Sequence, residues 1–169
     1  MPANSKVMNE VNKLLNSLIL VGDRDLLIGE IEIVKRAIFS VVSSVELEKS
    51  LKDSLSESRA REFFLYLNKN KRNVYDGHII EEILESLRTK ASELEVVTVY
   101  LPVNFSKTEL NEMHERLTQL LDKQILIKIV KEPELLGGMK LEYKGVYLDL
   151  SLNSTIKKMT KLSLVILSG

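Results

Sequence analysis

Near Ser92 the spacing of apolar residues changes from the three-or-four step of a helix to the two-residue step of a strand. A fold for this chain must therefore join a helical part to a part with a sheet. Upstream, Val7, Val11, Leu14, Leu15 and Leu18 keep helical spacing until Gly22 and Asp23 interrupt it. A second helix is predicted from about Leu26 to Val42. Leu27, Ile28, Ile31, Val34, Ile38, Val41 and Val42 make it apolar over most of its circumference, as in a helix surrounded by others. Ser43 with Glu46 offers a capping box to a short helix carrying Leu47, Leu51 and Leu55. Ser58 can cap the next, with Ala60, Phe63, Phe64 and Leu67 on one face. After the basic break "NKNKRN", a long helix is predicted from about Val74 to Leu94. Its buried stripe is Ile80, Ile83, Leu84, Leu87 and Ala91, with Glu81, Glu82, Glu85 and Arg88 facing water.

Downstream, "LEVVTVYLPV" is dense in β-branched and aromatic residues and stops at a proline, as a strand does. Ser106 and Glu109 then stand at capping-box spacing before a helix whose expected stripe is Leu110, Met113, Leu117, Leu120 and Leu121. "QILIKIVKE" is predicted as a second strand. Met139, Leu141 and Tyr143 alternate with Lys140 and Glu142, Lys144-Gly145 supplies a turn, and "VYL" returns. A last helix is expected from Asp149 or Ser151. The expected fold class is α+β with two domains. Residues 1–92 form an all-α bundle of about five to six helices, and residues 93–169 a small α/β module ordered β-α-β-β-β-α or a close variant.

Composition excludes several functions. The 169 residues are 44% hydrophobic, enough for a folded core. The 24 basic and 24 acidic residues cancel, so no long-range field draws the chain to nucleic acid or anionic lipid. With no cysteine, disulfides, thiolate metal sites and cysteine nucleophiles are excluded. No run approaches a membrane span, and the N-terminus lacks the uninterrupted apolar core of a secretory signal. The expectation is an intracellular protein with no membrane insertion.

The residues that could carry chemistry do not converge. His78 and His114 lack a second ligand at helical spacing, and both are read as solvated, His114 on the exposed side of its helix. Glu81, Glu82 and Glu85 are carboxylates opposite an apolar stripe and are read as surface groups. Ser151, Ser154 and Ser163 have neither a neighbouring histidine nor a GxSxG elbow. The cluster Lys69, Lys71, Arg72 lacks interleaved aromatics and reads as a solvated turn. Gly137 and Gly138 lead into a strand, whereas a phosphate cradle opens onto a helix and carries Lys and Ser or Thr at fixed offsets. Backbone geometry explains the pair instead: Pro133 stops the preceding strand, and glycine allows a positive φ or a close approach. No catalytic, metal or cofactor site is expected.

A helical bundle followed by an α/β module ending in "EPELLGGMKLEYKGVYLDLSLNSTIKKM" resembles the delta subunit family of F-type ATP synthases, the counterpart of the mitochondrial oligomycin-sensitivity-conferring protein. The late signature of that family falls here on Glu132, Pro133, Leu135, Leu136, Gly137, Gly138, Asp149 and Ser151. "FFLYLNKNKRNVYDGHIIEEILESL" and "VYLPVNFSKTELNEMHERLTQLL" extend the resemblance over about Arg61 to Met159. The chain departs from the family in lacking its Tyr-Ala-x-Ala-Leu first helix and in reading Asp-Leu-Ser at Asp149–Ser151, where many relatives have Asp-Gly-Ser. The resemblance implies a non-catalytic stator subunit, peripheral on the cytoplasmic side of the inner membrane, that ties the catalytic head to the peripheral stalk. It implies contact with the N-terminal helices of the alpha subunits, for which Val7, Val11, Leu14, Phe63, Phe64 and Leu67 are candidates. It also implies contact with the C-terminal region of the b subunit, for which Leu117, Leu121, Met159 and Leu162 are candidates. The rival is a standalone RNA-binding protein using Lys128, Lys131, Lys140, Lys144, Lys157, Lys158 and Lys161. Glu132, Glu134, Glu142 and Asp149 interrupt that basic face.

Overall fold

A computed structural model of the chain describes residues 2–40, 49, 61–65, 67 and 77–156. The predicted capping box at Ser43, the helix of Leu47, Leu51 and Leu55, the Ser58 cap and the Lys69, Lys71, Arg72 cluster lie outside those residues. So do Met159, Leu162, Lys157, Lys158 and Lys161. The fold is α+β and divides into two compact units: Met1–Leu18 with Gly22–Leu94, and Ile19–Val21 with Glu95–Gly169.

The first unit contains α1 (Pro2–Asn16), α2 (Val21–Ser40, whose first residue is counted with the other unit), helical residues 61–65 and α3 (Gly77–Glu93). The periodicity of α3 is realised residue for residue, with Ile80, Ile83, Leu84, Leu87 and Ala91 all buried. Helix α1 buries Val7, Val11, Leu14 and Leu15 and packs on α3. Burying each such side chain contributes about 1.5–3 kcal/mol. Ion pairs lace the outside, from Lys35 Nζ to Glu85 at 2.8 Å and from Arg88 to Glu32 at 2.9 Å.

Helix α2 departs from expectation at its start. It begins at Val21, so Gly22 and Asp23 stand in its first turn rather than in a break. Asp23 is favourable there because the N-terminal end of a helix is the positive end of its dipole. The break falls earlier. The Ser17 and Leu18 amides donate to the Leu14 and Leu15 carbonyls at 3.1 Å, closing α1. The buried face of α2 is also narrower than the sequence suggests: Leu27, Ile31, Val34 and Ala37 are buried, while Leu26 is 70% exposed.

The second unit is a four-stranded mixed sheet in the order β2-β1-β3-β4. Strand β1 (Glu95–Leu101) lies parallel to β2 (Ile125–Lys131), with Glu95 opposite Ile125 and Leu101 opposite Lys131. Parallel strands need a crossover, and α4 (Lys107–Leu121) supplies it. Both halves of its capping box form: the Glu109 amide donates to Ser106 Oγ at 3.3 Å, and the Ser106 amide donates to the Glu109 carboxylate at 2.7 Å. Strands β3 (Lys140–Tyr143) and β4 (Val146–Asp149) form an antiparallel hairpin closed by Lys144 and Gly145, whose φ values of 48° and 77° suit a two-residue turn.

One helical position is corrected. His114, expected at the surface, is 6% exposed, and Leu120, expected in the stripe, is 79% exposed. The buried stripe runs Leu110, Met113, His114, Leu117, Leu121, and the cost of burying an imidazole is met by a bond between its Nε2 and the Ile125 carbonyl at 2.9 Å. Val97, Val99, Leu101, Met113, Ile125 and Ile127 form the core of this unit.

A further strand-like contact comes from far upstream. Leu20 forms an isolated parallel bridge to Ile127, and the Ile127 amide donates to the Ile19 carbonyl at 2.7 Å. The three residues between the α1 end and the α2 body thus belong to the sheet.

Candidate functional site

Among the described residues, no group of three His, Cys, Asp or Glu is placed to hold a metal ion, and no helix is long and apolar enough to cross a membrane. The convergent feature is a backbone clasp around the glycine pair. After β2 the Glu132 amide donates to the Leu101 carbonyl at 2.8 Å. Pro133 and Glu134 then turn the chain, closed by the Leu135 amide on the Glu132 carbonyl at 3.1 Å, with the fixed proline φ pre-set for that position. Leu135 is buried and Leu136 points outward.

The glycines meet the chain that enters the last helix. The Leu152 amide donates to the Gly137 carbonyl at 3.0 Å and the Leu150 amide to the Met139 carbonyl at 2.9 Å. Gly138 has φ +78°, and a Cβ there would lie 2.4 Å from the Leu150 carbonyl oxygen. Both reasons for glycine therefore apply at one residue, and the pair offers a carbonyl to its neighbour rather than an amide cradle to an anion. Across the clasp, Asp149 accepts from the Ser151 amide at 2.9 Å, and buried Ser151 accepts from the Ser154 amide at 3.2 Å. Ser151 thereby caps helical residues 152–156, satisfying an otherwise orphaned donor. The motif residues are joined, and what they hold is the entry to the last helix.

The candidate alpha-contact residues are all in the interior of the first unit: Val7, Val11, Leu14, Phe63, Phe64 and Leu67 are each buried. Leu14 and Phe63 also line a cleft of about 440 Å³ between α1 and helical residues 61–65, with Glu10, Lys13 and Glu62 at its rim. The other four do not line it. In the second unit, Leu117 and Leu121 are half-buried against the sheet core. Leu117 forms part of a cleft of about 300 Å³ with Phe105, Met113 and Met139, bordered by Glu112 and Arg116. Outward apolar residues that the periodicity did not single out lie on the hairpin and beyond, where Val146, Tyr147, Leu148, Leu150 and Ile156 are exposed. Their strand alternation and the helix start concealed which of them would be left uncovered.

Charge around the sheet is largely paired. Lys140 binds Glu132, and the Tyr100 hydroxyl donates to Glu142 at 2.7 Å. At the start of β1, Glu95 accepts from Lys144 at 2.8 Å, from the Tyr143 hydroxyl, and from Lys123 at 3.1 Å. Those donors, Lys144 first, hold the Glu95 carboxyl at about 2, well below its ordinary 4.5. Since its folded pKa is depressed, the stabilisation is complete above pH 4.5 and is lost as pH falls from there toward 2. Carbon-detected titration of Glu95 is expected to give a midpoint near 2, moving toward 4.5 in Lys144→Met. An unmoved midpoint in that variant would remove the ammonium as the cause. With Lys140 and Lys144 so engaged, the basic face proposed for RNA loses two of its four described lysines to internal partners.

Comparison with known proteins addresses the whole chain. The family model for the ATP synthase delta (OSCP) subunit matches residues 5–162. The chain is similar to ATP synthase subunit delta of Wolbachia pipientis subsp. Culex pipiens (strain wPip), 30% identical over 124 residues that span 73% of this chain and 66% of that protein. It is also similar to ATP synthase subunit delta of Wigglesworthia glossinidia brevipalpis, 26% identical over 156 residues that span 88% of each. Nothing in these matches or in the site favours RNA binding. With its match running nearly end to end, the chain belongs to the ATP synthase delta (OSCP) subunit family, a family of structural rather than catalytic subunits.

Proposed function

We propose that the chain is a stator subunit in the peripheral stalk of an F-type ATP synthase, on the cytoplasmic side of the inner membrane. The observation that carries this reading is the family match over residues 5–162. In this reading residues 1–92 are a bundle of five to six helices that receives the N-terminal helices of alpha subunits. Residues 93–169 receive the C-terminal region of the b subunit. Holding a catalytic head against a rotor requires area and rigidity, and no chemistry. Two features support the division: each unit has its own cleft with apolar side chains in its walls, and helix-in-groove recognition needs such walls with polar rims. The glycine clasp suits a part that carries torque, because its links are backbone bonds that fix the approach to the last helix.

The test is a calorimetric titration of the full chain with two peptides, the N-terminus of the cognate alpha subunit and the C-terminus of the cognate b subunit. Amide shifts would be mapped alongside. The alpha peptide is expected to move Leu14 and Phe63, the b peptide Leu117 and Leu121, and each to bind with the other present. Failure of both peptides to bind overturns the stator reading, and RNA binding that weakens steeply with salt would replace it.

A further inference from the structure

A sheet with strand order β2-β1-β3-β4 has two edges, and the β2 edge is guarded in two ways along its length. Toward its C-terminal end, Lys128 and Lys131 are exposed, and lysines on an edge discourage pairing with another chain. Its N-terminal part has no charge: Ile125, Leu126 and Ile127 are apolar and fully buried. That uncharged part is where Leu20 bridges Ile127 and where the Ile19 carbonyl takes the Ile127 amide. The Leu20 side chain also packs against the core of the sheet, so the contact is more than one backbone bond. Cover by chain and cover by charge divide the edge between them.

We propose that Ile19–Val21 is a strap occupying a strand-binding edge in cis, and that the uncovered edge pairs with β2 of a second copy of this chain. A two-fold β2-to-β2 contact is self-complementary, and each copy brings the same apolar stretch to it. An edge that loses its cover presents unpaired amides and carbonyls, which a second strand satisfies. The strap therefore acts as a guard that keeps the chain single.

Amide exchange in the intact chain tests the strap directly. The Ile129 amide faces the same edge as that of Ile127, because strand residues two apart point the same way. The Ile127 amide is expected to exchange at least about tenfold more slowly than that of Ile129, as a bonded amide does beside an unbonded one. Equal rates overturn the strap. For the second copy, Ile19, Leu20 and Val21 are replaced together by glycine and the chain is sedimented over a range of concentrations. A concentration-dependent dimer is expected, with the Ile127 amide protected again in the dimer and Leu84 in the first unit unaffected. A monomer at every concentration with Ile127 exposed overturns the second-copy pairing. Should the triple variant fail to fold, Leu20→Ser keeps the chain length and most of the packing. In that variant too, a concentration-dependent dimer with Ile127 protected supports the pairing, and a monomer with Ile127 exposed overturns it.

Discussion

A Gly138→Ala chain is expected to lose about 2–5 kcal/mol of stability in its second unit, from left-handed strain of about 1–2 kcal/mol and overpacking of about 1–3 kcal/mol. The strain follows from φ +78° at this residue, and the overpacking from the Leu150 carbonyl oxygen 2.4 Å from where the new Cβ would stand. That oxygen is backbone, tied into the entry to the last helix, so it cannot rotate aside. The neighbours separate the two causes. At Gly137 the new Cβ would meet the Leu152 Cδ1 at 2.7 Å, the far end of a flexible side chain, and Gly137→Ala should cost less than about 1 kcal/mol. At Gly145, φ is +77° with open space around it, so Gly145→Ala isolates the conformational part, about 1–2 kcal/mol. Urea unfolding followed by amide signals of β1 and β3 measures all three. Equal losses would show that the approach of the two segments is not what selects glycine at residue 138.

Phe64→Ala should destabilise the first unit by about 3–5 kcal/mol, the usual loss on emptying an aromatic core position. Phe64 is among the largest fully buried side chains, and its ring lies 5.7 Å from that of Phe63 at 59°. The same substitution decides between two roles that sequence periodicity cannot separate. A core residue weakens the free chain strongly, and it affects a bound helix only through that weakening. A contact residue leaves the free chain within about 1 kcal/mol of its parent and lowers affinity. Phe63, which lines the first-unit cleft, is the comparison, and Phe63→Ala should reduce alpha-peptide affinity by more than Phe64→Ala once stability is corrected for.

What was legible in the sequence was what is encoded locally. The α3 stripe, the Ser106–Glu109 capping box, the Lys144-Gly145 turn and the glycine pair each depend on residues within a few positions of one another. His114 was misplaced by a one-residue rotation of the α4 face. Histidine reads as polar, and the carbonyl that receives it, that of Ile125, belongs to another element. Gly22 and Asp23 were read as a break because both residues interrupt helices, although at a helix start Asp is favoured and Gly is tolerated. The cover on β2 had no local signal. Leu18, Ile19 and Leu20 look like the tail of an apolar helix, and their strand partner lies at the far end of the chain. The docking faces were the least legible, since core and groove share one periodicity and only burial tells them apart.

The position of Ile19–Val21 in the chain also orders its birth on the ribosome. These residues leave the exit tunnel early, while β2 is made long afterwards, so the strap must wait without its partner through synthesis of the helical unit. Contacts between distant parts of a chain close late because the intervening loop must first be ordered. The sheet is therefore finished by a segment already held between two completed helices, and its last edge is closed from a fixed anchor instead of by a free end.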